Sequence, residues 1–139
     1  MFNFRNVGFV SLLMAAFFAI STSGYAAMNN GSLIQVPGSP SIYYLINGYA
    51  AHIPSVRVLE CLRLKGKKIE NISNDELNKL PKTAFLVKGS GNNIYRIDGE
   101  SKRLVPNMQV FRRLGFNNNE IIHISDDMLN CIPKGPNLN

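Results

Sequence analysis

The chain has 139 residues, with fifteen Lys and Arg against nine Asp and Glu. That length allows one compact domain, and a net charge of +6 suits anionic partners. The one long uncharged apolar run, 7–20, has 14 residues, short of the roughly 20 that span a bilayer, so a multi-span membrane protein is excluded.

The first segment, 1–26, reads as a secretory signal peptide. Arg5 gives the positive start, 7–20 is the apolar run, and 21–27 is small and polar. Gly24 and Ala26 supply small residues at −3 and −1 of a cut after Ala26; a cut after Ala27 would put Tyr25 at −3. No cysteine follows the run, so a lipid anchor is not indicated, and the alternative is an uncleaved anchor. Removing 26 residues leaves 113, and removing Arg5 leaves fourteen cations against nine acids, a net +5. The expected location is secreted or periplasmic, with no stable membrane insertion after cleavage. An exported basic protein points to cell-wall polymers, lipid headgroups, lipopolysaccharide or acidic proteins rather than nucleic acid. The alternative is that the charge only keeps the protein soluble.

Beyond a flexible start at 27–32, "SLIQV" (32–36) reads as a strand. Asn47-Gly48 then signals a two-residue type I′ hairpin turn, since both positions need φ > 0. Tyr44 and Ile46 face one side of that hairpin, Tyr43 and Leu45 the other. After Pro54 the period changes. Val58, Leu59 and Leu62 make one face of a short helix, with Ser55 as N-cap. A short extended piece, "KIENI", precedes Ser73 and Glu76, a Ser-x-x-Glu capping box that opens a second helix ended by Pro81.

The same grammar follows again. "TAFLV" (83–87) reads as a strand and Asp98-Gly99 as a hairpin turn, with Ile94 and Arg96 opposite Tyr95 and Ile97. Pro106, N-cap Asn107, then Val110, Phe111 and Leu114 mark a helix, and Gly115 fits its C′ stop. "EIIHI" is extended. Ser125 caps a last helix that has Met128 where the box would place Glu, and Pro133 ends it. Val36, Gly38, Ser39, Tyr44, Ile46 and Gly48 match Val87, Gly89, Ser90, Tyr95, Ile97 and Gly99 at an offset of 51. From Pro54 and Pro106 onward the offset is 52, which places one extra residue in the second hairpin. The matches are apolar residues, turn formers and caps, so the chain reads as a tandem duplication. Repeat 1 is 33–83, repeat 2 is 84–135, and 136–139 is a flexible tail. The expected fold class is α+β: two hairpin-plus-short-helices repeats packed as one pseudo-twofold domain.

The repeat pattern, a Gly-Ser loop, Tyr-x-(Ile/Leu)-(Asn/Asp)-Gly, a Pro, then Ile-Ser before the second helix, resembles tandem repeats of exported bacterial surface and cell-wall proteins. There such repeats accompany hydrolase domains as accessory modules. The resemblance covers most of the mature chain and implies binding rather than catalysis.

Residue chemistry agrees. Cys61 with His52 is the conceivable nucleophile–base pair near in sequence, but repeat 2 puts Arg113 and Arg103 there. Cys131 and His123 face Lys79 and Asn71 in repeat 1. Two cysteines and two histidines lack metal-ligand spacing, and "GSG" (89–91) lacks the Lys and helix of a phosphate loop. No catalytic residue, metal or cofactor is expected. Cys61 and Cys131 pair as a disulfide in an oxidising compartment, or are two separately buried thiols. The candidate ligand-binding residues are Tyr43, Tyr44, Tyr49, His52, Tyr95, Arg96, Lys102 and Arg103, because tyrosines beside cations suit sugar rings or acidic polymers. For Tyr44 and Tyr95, each with Ile two residues on, core packing is the favoured reading. The expected function is a non-catalytic envelope or cell-surface module for a cell-wall glycan or an envelope protein. The absence of Trp counts against a strong lectin. The alternative is a small secreted inhibitor or protein-interaction factor presenting loops 38–42 and 89–93; an exported enzyme comes third.

Overall fold

The computed structural model describes residues 28–139; the expected signal peptide and its cleavage point lie outside the described residues. The first half contains β1 (Leu33–Gln35), β2 (Ile42–Ile46), β3 (Tyr49–Ile53), α1 (Val56–Cys61), β4 (Ile69–Asn71), α2 (Asn74–Lys79) and β5 (Lys82–Thr83). The second contains β6 (Leu86–Lys88), β7 (Ile94–Asp98), β8 (Ser101–Val105), α3 (Met108–Arg113), a 3-10 turn at Asn118–Glu120, β9 (Ile121–His123) and α4 (Asp126–Cys131). The fold is α+β. One sheet has the order β4-β1-β2-β3-β5 and the other, read from its far edge, β9-β6-β7-β8. The central hairpins are antiparallel, and β4 and β9 run parallel to β1 and β6. Beside β8 the chain returns as β5 does beside β3: Lys102 N donates to Pro133 O at 2.7 Å, and Ala50 N to Pro81 O at 2.9 Å.

The helix starts lie where the caps place them. Ser55 and Asn107 accept from Val58 N and Val110 N, Ser73 and Glu76 form the capping box, and Ser125 caps α4 alone. Gly115 follows α3 with φ +74°, and the same place after α1 is held by Arg63 at φ +55°. A left-handed conformation is costly for a side chain with a Cβ.

The hairpins depart from the sequence reading. Asn47 and Gly48 have φ of 47° and 82°, as a type I′ turn requires. The second hairpin does not turn on Asp98-Gly99. Asp98 is the last ladder residue, opposite Ser101, and the turn is Gly99-Glu100, with positive φ only at Gly99. That is the type II′ pattern. Both turns therefore have two residues, and no extra residue enters the second. Ile42 faces Ile53 as Ile94 faces Val105, so both hairpin strands correspond at an offset of 52. Tyr95 thus stands at the place of Tyr43, and Arg96 at the place of Tyr44. The length difference lies in the loops 36–41 and 89–93. The lead-in strand is also later than "TAFLV" suggests, because Thr83 pairs with Ala51 in the first sheet.

Because each sheet buries apolar residues on both faces, with Lys88, Arg96, Asp98 and Arg103 interspersed on the α3 side of the second, the molecule is layered. On the first sheet Leu33, Tyr44, Ala51 and Ile53 face α1; Ile34, Tyr43, Leu45 and Ala50 face α2. On the second sheet Leu86, Ile94 and Val105 face α3, while Val87, Tyr95 and Ile97 face the same side as α4. The central core joins the α1 side of the first half to the α4 side of the second, through Val58, Leu62, Phe85, Val87, Ile97 and Ile132. These are opposite sides of corresponding units. A pseudo-twofold, which would bring like sides together, is not confirmed: here unlike sides meet, and the halves stack head to tail.

The segments expected to be flexible tails are held. Gly31 N donates to Leu45 O, Asn30 bonds Asn47 through both side chain and backbone, and Met28 packs on the α2-side core. At the other end Arg103 Nε donates to Pro136 O, Leu138 N donates to Leu104 O, and Leu138 is buried in the α3-side core. Open apolar layers at the two ends of the stack give these segments something to cover.

Cys61 at the end of α1 and Cys131 at the end of α4 form a disulfide, with Cα atoms 5.4 Å apart. It crosses the join between the halves and closes a sequence separation of 70, which stabilises by about 4 kcal/mol through restriction of the unfolded chain. Urea unfolding of Cys61→Ala/Cys131→Ala should show a loss of that order against the oxidised protein, and equal midpoints would refute the stated role. Arg63→Gly should raise stability by about 1 kcal/mol by relieving the left-handed conformation; an unchanged or lower midpoint would count against strain there.

Candidate functional site

The eight candidate ligand-binding residues do not share one surface. They are distributed over the faces of both sheets, and much of the set is structurally committed. Tyr44 lies on the inner face against Phe85, ring centroids 5.9 Å apart, and burial pushes its phenol pKa up. Tyr95 is also on the inner side, with Lys102 Nζ 5.7 Å from its ring centroid. Lys102 is itself 9% exposed and donates to the Leu129 carbonyl near the end of α4. Desolvation, then the charge of Lys134, lowers its pKa. A lysine read as a ligand contact is therefore a helix-end cap. Lys82, which sequence reasoning passed over, does the same for α2, donating to Leu77 O and Leu80 O. Arg103 is likewise occupied, by Asp98 at 3.1 Å and Pro136 O at 3.0 Å.

Tyr43 is on the outer face, paired across the hairpin with His52, ring centroids 5.3 Å apart. Tyr49 opens β3 opposite Ile46 and is half-buried. His52 is exposed, and Arg96 is half-buried on β7. Of the eight, these last two meet in one hollow. It lies along the join between the halves, has a volume of about 210 Å³, and is lined by His52, Pro54, Thr83, Phe85, Arg96 and Asp98 among others. Asp98 is already paired with Arg103, while Arg96 has no ion-pair partner among the described residues. The hollow therefore has one guanidinium without an ion-pair partner among the described residues, an imidazole and a neutralised acid, an arrangement that accepts an anionic group.

A second hollow of about 310 Å³ shares His52 and Pro54 and continues along α1. Its walls include Ser41, Ile42, Ile53, Val56 and Leu59, and Val56 is 66% exposed. Together the two make an open groove with a cationic end and an apolar end. A third cavity, about 170 Å³, is lined by Tyr44, Leu62, Phe85, Ile122 and Met128 at the opposite edge of the join. Phe85 lines two of the three, and its place in the first half is held by Ser32 when sheet register is followed. No periodic signal marks it in the sequence.

The sulfur of Cys61 is bonded to Cys131, so it offers no thiolate to His52. Among the described residues no three His, Cys, Asp or Glu side chains converge as metal ligands. No helix of the described residues is long and apolar enough to cross a membrane.

The two loops proposed as presenting elements are both internally braced. Gln35 Nε2 donates to Ser39 O at 2.7 Å in the first. In the second, Ser90 donates to Asp126 through its backbone N–H at 2.9 Å and its hydroxyl at 2.5 Å. Gly89 is held so close to α4 that a Cβ there would collide with the Asp126 carboxylate and crowd Leu129.

The chain matches no family model and no curated protein. Among solved structures it is similar to a chain described as "Structure of the periplasmic assembly from the ESX-5 inner membrane complex, C1 model", at 11% identity and a TM-score of 0.36 over 86% of its length. It spans 42% of that chain. A likeness of that size transfers neither fold nor activity.

The Ser90 hydrogen bonds hold the Asp126 carboxyl below the usual aspartate range. A carboxylate with a depressed folded pKa stabilises above its unfolded pKa, and that contribution is lost as pH falls through the folded value. Lowering pH from about 5 to about 2 should therefore release the 89–93 loop, read as a loss of amide protection at Ser90 relative to the intrinsic exchange rate at each pH. Asp126→Asn should lack that protection throughout; protection at Ser90 indifferent to both changes would dismiss the brace.

Proposed function

We propose that the chain is a non-enzymatic binding module exported to the bacterial envelope or cell surface, built by duplication of a unit of about fifty residues. In this reading 1–26 is a cleaved signal peptide, 33–83 and 84–135 are the two units, and no cofactor or metal takes part. The partner carries acidic groups and is a cell-wall glycan or an envelope protein. The single observation behind it is the groove at the join, where His52 and the ion-pair-free Arg96 face an opening whose one acid is already neutralised. The disulfide supports export, because such bonds persist in oxidising compartments.

One feature favours the second reading, a secreted inhibitor or protein-interaction factor. The groove continues into an apolar stretch with Val56 exposed, and apolar anchors beside a charged end are more typical of protein contacts than of glycan contacts. The absence of Trp points the same way.

Co-sedimentation of residues 27–139 with insoluble peptidoglycan at about 50 and about 300 mM salt separates the readings, because salt screens diffuse charge. Retention at both salts, lost in Arg96→Ala and His52→Ala, is the outcome expected of a groove-bound wall polymer. Retention only at low salt, unchanged in both variants, would assign it to net charge. No retention would reject the wall polymer and leave a protein partner.

A further inference from the structure

The last segment of the chain shows what a hairpin edge in this fold holds. Beside β8, Gly135 N donates to Lys102 O and Leu138 N to Leu104 O. Leu138 is buried in one cluster with Val105 and Phe111, against which Ile94 packs. The segment therefore follows the outer edge of β8 and drops a leucine onto the face that α3 covers. The first half begins the same way, with Ala50 N donating to Pro81 O and Lys82 opposite Ala50. It does not continue. The chain turns into β6 after Thr83, and Phe85 packs on Tyr44 rather than along the edge at His52, the counterpart of Leu104. We propose that this open edge of β3 takes an extended peptide segment of a partner protein, which donates a backbone N–H to His52 O and seats an aliphatic side chain in the hollow beside α1.

Three observations carry this. Ala50 turns its N–H to the β5 edge, and His52, two residues on, faces the same way by strand alternation. No backbone N–H among the described residues donates to His52 O. The hollow of about 310 Å³ is the first half's version of the place that Leu138 fills: Ile42, Ile53 and Leu59 line it, and their counterparts are Ile94, Val105 and Phe111. Both edges also end on a proline, Pro54 and Pro106, so the next outward position has no N–H. A covering segment is then held by one carbonyl and by its buried side chain, as Leu138 is. Strand addition of this kind takes specificity from the side chain that enters the pocket. This occupant rests on the groove of the proposed function and narrows its partner to a protein.

The probe is a C-terminally amidated peptide with the sequence of residues 134–139, titrated into the isotope-labelled protein and read by amide shifts. Saturable shifts at His52, Ile53, Val56 and Leu59 are expected. The same peptide with its leucine N-methylated, or replaced by alanine, should bind about tenfold more weakly, the first for want of the N–H and the second for want of the buried side chain. Val56→Glu, at an exposed position of the hollow, should weaken the unmodified peptide by a similar factor. No saturable shift at these residues would overturn the docking site. So would shifts confined to Leu104 and Val105, where the peptide displaces the chain's own end, or an affinity indifferent to both peptide changes. If wall-polymer retention at both salts is then still lost in Arg96→Ala, the groove stands with a glycan in it and only the peptide occupant fails.

Discussion

The constraint on which the rest depends is that each sheet buries apolar residues on both faces. A half of about fifty residues has one short helix for each face, and six-residue helices cover only part of a sheet. Units of that size bury too little surface to be stable alone. Joining the α1 side of one to the α4 side of the other converts two partly covered layers into one closed core, and Cys61–Cys131 fixes it covalently. The helix-end lysines follow from the same arrangement. Lys82 and Lys102 reach the carbonyls that such short helices leave unpaired, and the second does so from inside the stack.

Much of the fold is legible in the residues because turns and caps are local. Ser55, Ser73, Asn107 and Ser125 start helices for reasons contained within four positions. The register of the second hairpin is not local. Matching Tyr44 with Tyr95 is natural by identity, yet the sheet matches Tyr43 with Tyr95. An alternation of polar and apolar residues would expose a one-residue error, because it flips every side chain. Here Tyr43-Tyr44 and Leu45-Ile46 are apolar on both faces, so either register reads equally well. The same two-sidedness hides which sides of the units meet.

The candidate site is legible only in part. Arg96 and His52 carry the right chemistry, but their meeting depends on which faces join, and no spacing in the chain encodes that. Lys102 and Arg103 read as ligand contacts because cations beside tyrosines suit acidic polymers. Their partners, Leu129 O, Asp98 and Pro136 O, become visible only when α4 and the last segment fold against β8. What remains open is the seam itself, where the two halves meet.

The position of the disulfide also sets an order of events. Cys61 belongs to the first half, and its partner lies 70 residues on, in the last helix of the second. A chain made from its N-terminus carries Cys61 as a solitary thiol until β6 to β9 have followed. No native bond can lock the first half prematurely, and oxidation becomes a mark of completed folding, written only when α4 has arrived.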